Sequence, residues 1–530
     1  MSPIWLLVTA CGLSLSWLLP NHSYPWLGFH SDAWSAVMLA VVATFVFWKN
    51  RCKVGWYWSS IVVAVVVAIP LVQWATGLIP IFGVAWINFA YLLGLLLAMQ
   101  LGMAWEHESP GQVLDFLFAA IGIAAVASVG LQLRQFFQLE NIGAYTMYST
   151  GARHFANMAQ PNQLASLLLL GLVGCAWGYG RSKLGALTAV LVSALLLVGL
   201  AMTESRTAWI NVALLISAAV IWRRLLPSPR FLHVAVGLVA FFILCVLALP
   251  KINALINDGS PVGFRSPVGD PRWSAWLMFL KAAAHHPYFG FGWGQTGHAQ
   301  FLMMDEKIAQ GGNFLQAHNI VIDLIIWNGF PIGLVIGALL LWWALLMIKS
   351  VRDYSQLVRV AFLAMLGTHA MLEYPLQYAY FLLPAGMVAG SLNRSSGQLM
   401  LGAERKWLMG TLLAISLATL AVTVQDYFKA ERSFYALRFE LKNIPTDLPR
   451  DPPDVIALTQ WRDNIRFVRM EPQSGMTPAQ LEWMRGVVST MPSAYAMYRL
   501  ASMLAMNDFL DEAQLWLRRS CQTAPADQCE

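Results

Sequence analysis

The sequence predicts an all-α polytopic membrane protein with about 13 transmembrane helices. A large loop and a C-terminal helical domain are expected on the non-cytoplasmic side. Three observations predict this. Of 530 residues, 58% are hydrophobic and only 12% charged, against about 25% charged in a soluble domain. Apolar stretches recur between short polar connections, and a span needs about 20 apolar residues because the bilayer core offers backbone groups no water. Basic residues gather on alternate connections. Together these exclude a disordered chain, a small disulfide-stapled scaffold and a conventional soluble enzyme.

The spans are expected at 4–20, 33–48, 55–75, 82–104, 112–130, 162–178, 184–202, 208–226, 231–250, 317–348, 356–372, 377–393 and 407–424. The first lacks a basic leading region and reads as a retained span rather than a cleaved signal. Span 317–348 contains Pro331, which predicts a kink or a tilt. With the N-terminus cytoplasmic, the cytoplasmic connections, counted with Arg223, Arg224 and Arg359 at the adjoining span ends, carry 14 basic residues. The short opposite connections carry only Arg134, Arg153 and Arg206. That asymmetry is the signal that orients membrane proteins. The turn from Trp105 to Gly111 breaks it, with Glu106 and Glu108 and no base. The net charge of +6 is therefore an orientation signal, and no nucleic-acid partner is expected.

Two regions on the far side are long: residues 251–316 and the tail. We divide the chain into a transmembrane region, 1–424, and a soluble helical region, 425–530. The tail holds 12 basic and 14 acidic residues. Its apolar positions have helical spacing, Met497, Leu500, Ala501, Leu504 and then Leu510, Ala513, Leu517, which predicts a helical hairpin. Cys521 and Cys529 lie in this tail, and an oxidising compartment would permit their pairing. No CxxC or His-rich spacing suggests a metal.

Polar groups near the bilayer are costly, so they mark function, and the informative ones fall on the far side. The segment Arg153 to Ala165 brings Gln160, Asn162 and Gln163 to the mouth of a span, with Pro161 suited to a first helical turn; helix capping alone would also use these amides. Glu204-Ser205-Arg206-Thr207 forms a tight turn. Its arginine either anchors the interface or faces an anion, since guanidinium matches phosphate geometry. In the long loop, Arg265 and Arg272 precede Gly290-Phe291-Gly292-Trp293-Gly294-Gln295, whose glycines suggest a close approach of backbone. His318-Asn319 opens a span; His318 is a candidate base or an interfacial histidine held by its neighbours. His369 and Glu373 are one helical turn apart, followed by Tyr374 and Tyr380. Arginines, a histidine, amides and tyrosines on one membrane face suit a lipid-linked phosphate or pyrophosphate donor.

These motifs resemble the bacterial pilin O-oligosaccharyltransferases (PglL-like, including a divergent branch), within the O-antigen ligase and polymerase superfamily. Asn157 to Ala165 resembles the pilin-ligase signature around Gln-Pro-Asn-x-Leu-Ala. Ser205-Arg206, Arg272 to Gln295, and His318-Asn319 with Asn328-Gly329-Phe330-Pro331-Ile332-Gly333 resemble the superfamily core. The chain departs from the family at Ala156 and Ala159, where glycine is common, and at Ala317, where serine is common.

The resemblance implies an inner-membrane glycosyltransferase with a periplasmic active site. It moves a glycan from an undecaprenyl-pyrophosphate donor to a Ser or Thr hydroxyl of a type IV pilin-like acceptor, inverting the anomeric centre. His318 would accept the hydroxyl proton, and Arg206 and Arg272 would stabilise the leaving pyrophosphate, so no metal or cofactor is expected. Gln160, Asn162, Arg265, His369, Glu373, Tyr374 and Tyr380 are the expected substrate-binding residues. The alternatives are an O-antigen ligase acting on lipid A–core, a polysaccharide polymerase and, from a different class, a lipid-linked glycan flippase or exporter.

Overall fold

The computed structural model describes residues 3–49, 55–139, 145–148, 153–256, 271–304, 314–397, 400–403 and 406–523. Arg265 and Cys529 lie outside the described residues. The chain is 76% helical. Among the described residues its α-helices run α1 Pro3–Ser14, α2 Phe29–Lys49, α3 Trp58–Ala75, α4 Phe82–Glu108, α5 Gln112–Phe136, α6 Pro161–Gly180, α7 Ala186–Met202, α8 Arg206–Ile221 and α9 Phe231–Ile256. They continue as α10 Pro271–His285, α11 Thr296–Leu302, α12 Ile320–Lys349, α13 Tyr354–Ala370, α14 Ala379–Ser395 and α15 Lys406–Leu441. The last four are α16 Thr459–Arg469, α17 Pro478–Thr490, α18 Ala494–Ala505 and α19 Leu510–Thr523. Gly55–Trp56 pairs antiparallel with Gly402–Ala403, so the third expected span becomes helical only at Trp58.

A helix lies in each of the thirteen apolar stretches. Eight are long and apolar enough to cross a membrane by length and composition: α2, α3, α4, α5, α6, α9, α12 and α15. Three more are shorter apolar helices, beginning at Pro3, Ala186 and Arg206. The remaining two, α13 and α14, are 17 residues each and less apolar: most of α14 is buried, and α13 buries Gln356, Arg359 and His369. This is a multi-pass membrane protein.

The chain divides into two compact units. The first is Met1–Val62, Gly94–Pro267 and Trp343–Ser416; the second is Val63–Leu93, Val268–Trp342 and Leu417–Glu530. In the first unit α5, α6 and α7 pack on one another, and α6, α8 and α13 meet. Small residues allow the closest crossing. A Cβ at Gly102 would overlap the Met387 carbonyl, and one at Gly390 would overlap that of Met99, the small-residue packing that membrane helices favour.

One ion pair explains the acidic turn that broke the charge pattern. Arg359 on α13, 1% exposed, meets Glu106 on α4 at 2.5 Å. The guanidinium also donates to Ser391 Oγ at 2.9 Å and Ser355 Oγ at 2.5 Å, while Glu106 accepts from Gly111 N at 3.1 Å. Arg359 is therefore a buried partner rather than a loop charge.

In the second unit the tail helices build a core from Ile465, Met484, Val488, Met497, Leu500 and Leu504, joined by Ile81 and Phe301. The expected hairpin is α18–α19. Met497, Leu500, Ala501 and Leu504 are buried, but on α19 the inner face is Ala513, Trp516 and Ser520. Leu510 and Leu517 are exposed. The reason is the stacking of Trp516 on Phe301, centroids 4.6 Å apart, a partner distant in sequence that sets the helix rotation. Cys521 is disulfide-bonded.

Candidate active site

In the first unit the site begins in the loop before α6. Ala156 and Ala159 both have positive φ, 51° and 60°, a region that favours glycine. Side chains hold the loop there. Gln135 accepts from Ala156 N at 2.8 Å and donates to Ala156 O at 2.8 Å. Asn157 donates to Leu18 O at 2.7 Å and Tyr145 O at 2.9 Å. His154 lies edge-on to Phe136 at 5.6 Å, and burial lowers its pKa. Pro161 then occupies the first turn of α6, as its fixed φ and missing N–H allow.

Asn162 is the node of this cluster. Its Oδ1 accepts from Arg153 at 3.1 Å and from Ser205 Oγ at 2.8 Å. Its Nδ2 donates to Glu373 Oε1 at 2.9 Å. Arg153 also donates to Thr203 O at 2.9 Å. Glu204 has φ 48°, Ser205 is the N-cap of α8 and Arg206 its first residue. One amide thus ties the turn carrying Arg206 to the end of α13.

Beside it, Gln160 Nε2 donates to the Tyr374 hydroxyl at 2.5 Å. Burial raises the pKa of that phenol, so it is neutral at physiological pH. Tyr374 stacks on Tyr378 at 6.0 Å and Tyr378 on Tyr380 at 5.1 Å. Tyr380 is 1% exposed, which places it behind the others. His369, fully buried, pairs through Nδ1 with Ser166 Oγ of α6 at 2.7 Å.

The second unit carries Arg272 and His318. Gly290, Gly292 and Gly294 all have positive φ. Phe291 N donates to Ile326 O at 2.8 Å and Gly292 N to Trp327 O at 3.2 Å. These carbonyls are available because α12 breaks at Gly329, φ 74° and ψ 171°, just before Pro331. A Cβ at Gly290 would overlap Ile326 O. The expected close approach is therefore backbone against the α12 kink.

His318, half-buried, has φ 56° and lies edge-on to Phe314 at 5.7 Å. Asn319 Oδ1 accepts from Val321 N at 3.0 Å and Ile322 N at 3.2 Å, capping α12. The preceding residue is held at both ends. Ala317 N donates to Asp323 Oδ1 at 3.0 Å, and Ala317 O accepts from Trp276 Nε1 at 3.0 Å. Trp276 is four residues after Arg272 on α10, so the helix bearing Arg272 is bonded to the turn bearing His318.

Of the expected residues, Gln160, Asn162, Glu373 and Tyr374 share one hydrogen-bonded cluster adjoining Arg206, and His369 of α13 is bonded to Ser166 of α6. Arg153, Ser166, Trp276 and Asp323 were absent from the expected set. Asp323 had a visible signal: it is the sole acidic residue of α12, and an ionisable group in such a stretch marks function by default.

Three family models match the chain: O-antigen ligase over residues 191–337, protein glycosylation ligase over 155–177, and the C-terminal part of virulence factor membrane-bound polymerase over 357–528. Arg206, Arg272 and His318 fall in the first, Gln160 and Asn162 in the second, Glu373 and Tyr374 in the third. The chain is 30% identical over 527 residues to the general O-oligosaccharyltransferase of Acinetobacter baylyi, covering 96% of this chain and 90% of that one. It is 27% identical over 361 residues to the ComP-specific O-oligosaccharyltransferase of the same organism, covering 67% of this chain and 64% of that one. Similarity at 30% identity over 96% of this chain and 90% of the general transferase, running through the segments that build the cluster, means that the protein belongs to the O-oligosaccharyltransferases, protein-glycosylating transferases of the O-antigen ligase family.

Proposed function

We propose that the protein moves a glycan en bloc from an undecaprenyl-pyrophosphate carrier to a Ser or Thr hydroxyl of a pilin-like acceptor, on the periplasmic side of the bacterial inner membrane. Residues 1–424 carry the reaction, on thirteen spans with a cytoplasmic N-terminus, and 425–530 form a helical periplasmic region. The observation that carries this reading is the Asn162 node. It lies in the segment similar to protein glycosylation ligases and bonds that segment to Ser205 and Glu373. That similarity favours a protein acceptor over the lipid A–core acceptor of an O-antigen ligase.

A hydroxyl is a poor nucleophile whose proton must leave during attack. His318 accepts it on an imidazole nitrogen as the acceptor oxygen bonds to the anomeric carbon. The bond from that carbon to the phosphate oxygen breaks on the opposite face, and configuration inverts. Negative charge grows on the departing pyrophosphate, where Arg206 and Arg272 stabilise it; two guanidinium groups then serve in place of a metal ion. Gln160, Asn162, Glu373 and Tyr374 orient donor and acceptor, with His369, Tyr380 and Arg265 in supporting contacts.

Co-expression with a lipid-linked glycan pathway and candidate pilins, read by intact mass, tests the reading. It predicts a pilin heavier by one glycan. Unmodified pilins together with glycosylated lipid A–core would replace it with the ligase reading.

A further inference from the structure

We propose that Asp323 is a positioning residue, which together with Trp276 holds the turn that presents His318. This rests on the reading of His318 as the base and adds what fixes that base in place.

The argument starts from backbone geometry. His318 is a non-glycine residue with φ 56°. Such a conformation is held only when its surroundings over-determine it. The residue before it supplies those surroundings. Ala317 is fully buried, and both of its backbone groups are bonded by side chains: N–H to Asp323 Oδ1 at 3.0 Å and C=O to Trp276 Nε1 at 3.0 Å. Without these bonds a buried peptide group would stand unsatisfied.

Asp323 is itself braced. It is 2% exposed, and its Oδ1 also accepts from Thr296 Oγ1 at 2.9 Å. Thr296 Oγ1 accepts in turn from Trp327 Nε1 at 2.8 Å. The chain of bonds runs from Trp327 through Thr296 and Asp323 to Ala317, so rotating the carboxylate away breaks two bonds at once. Asp323 N also donates to Asn319 O at 2.9 Å, which fixes the carboxylate in the first turn of α12.

Trp276 adds a second function to the clamp. Arg272 and Trp276 are spaced i, i+4 on α10, which puts them on one face. The indole bond to Ala317 O therefore sets α10 against the His318 turn. The two groups assigned to proton removal and leaving-group stabilisation are thereby held by one short network, as in-line displacement requires. Neither Asp323 nor Trp276 is assigned a contact with substrate.

The test measures initial rates of glycan transfer by the purified full-length protein while donor and acceptor are varied. Asp323→Ala is expected to lower kcat about 100-fold, the scale of an ångström-sized misplacement, with KM for both substrates within about threefold. Asp323→Asn keeps an oxygen that accepts from Ala317 N and Thr296, and should retain kcat within about tenfold. Trp276→Phe should lower kcat about tenfold with the same unchanged KM. Wild-type kcat in Asp323→Ala, a loss confined to KM, or Asp323→Asn as inactive as Asp323→Ala would each overturn the proposal. Should Asp323→Ala fail to accumulate in membranes, Trp276→Phe and Thr296→Val decide it, and unchanged kcat in both overturns it. His318→Ala is run beside them. Full transfer by that variant removes the base assignment itself, whereas an inactive His318→Ala beside an unaffected Asp323→Ala removes only the clamp.

Discussion

Asn162 makes three side-chain bonds to three different segments. Replacing it cannot be a local event. Asn162→Ala frees the Ser205 cap next to Arg206 and releases Glu373. Asn162→Asp keeps an acceptor for Arg153 and Ser205 but sets a second carboxylate against Glu373. Both variants should lose about 100-fold in transfer rate, read by intact mass over time, and the aspartate should be no better than the alanine. An active Asn162→Asp would show that the donor bond to Glu373 is dispensable.

His298 gives a prediction in pH. It lies on α11, edge-on to Phe291 at 5.6 Å. Its pKa is lowered to about 4, first by burial and then by the charges of His286 and Arg519. A histidine depressed below its unfolded value leaves the unfolded chain binding more protons as pH falls. Stability is therefore complete above about 6.5 and declines towards about 4, by up to about 1.4 kcal/mol per pH unit for one group. Melting temperature should fall between pH 7 and pH 5, and His298→Gln should fall less. Equal acid sensitivity in both proteins would place the effect elsewhere.

Among the elements, α4, α13 and α14 are tied by a buried charge rather than by apolar packing alone. Arg359→Ala leaves Glu106 buried and uncompensated, a loss of about 3–5 kcal/mol. The detergent-solubilised variant should melt several degrees lower, and Glu106→Gln with Arg359→Met should recover part of that. An unchanged melting temperature would mean that Glu106 finds another partner or water. The pair also shows where reading charge along a sequence stops. Arg359 counted as a loop base and Glu106 as an exception, because their pairing joins positions 253 apart. The α12 kink was legible at Pro331, yet the residue that leaves helical geometry is Gly329. The break frees the Ile326 and Trp327 carbonyls for Phe291 and Gly292, a docking that joins residues distant in sequence and that no local pattern encodes. The α19 face was misplaced for the same reason: Phe301, far away in sequence, turns Trp516 inward.

At the scale of the whole molecule, helix content and membrane class were legible because hydrophobic composition and length leave a bilayer chain little alternative. Eight spans stand on length and hydropathy, and α13 and α14 fall short because each runs only 17 residues and carries polar side chains, such as Arg359 and Asn393, that lower its hydropathy. The site was legible as residue types at helix mouths: Gln160, Asn162, Glu373 and Tyr374 do share one cluster. Its internal bonding was not, since Asp323 and Trp276 act through the backbone of Ala317 and carry no motif of their own. The alanines at 156 and 159 stand where glycine relieves backbone strain, so the loop keeps its conformation through Gln135 and Asn157 rather than through composition.

The central claim is that this protein transfers an intact glycan to a protein hydroxyl with His318 as base. The most direct measurement is the intact mass of purified acceptor after incubation with lipid-linked glycan and either the wild-type protein or His318→Ala, both present in the membrane in equal amount. The account predicts one glycan mass added at a Ser or Thr by the wild type and none by His318→Ala. Equal mass gain with both proteins would contradict it.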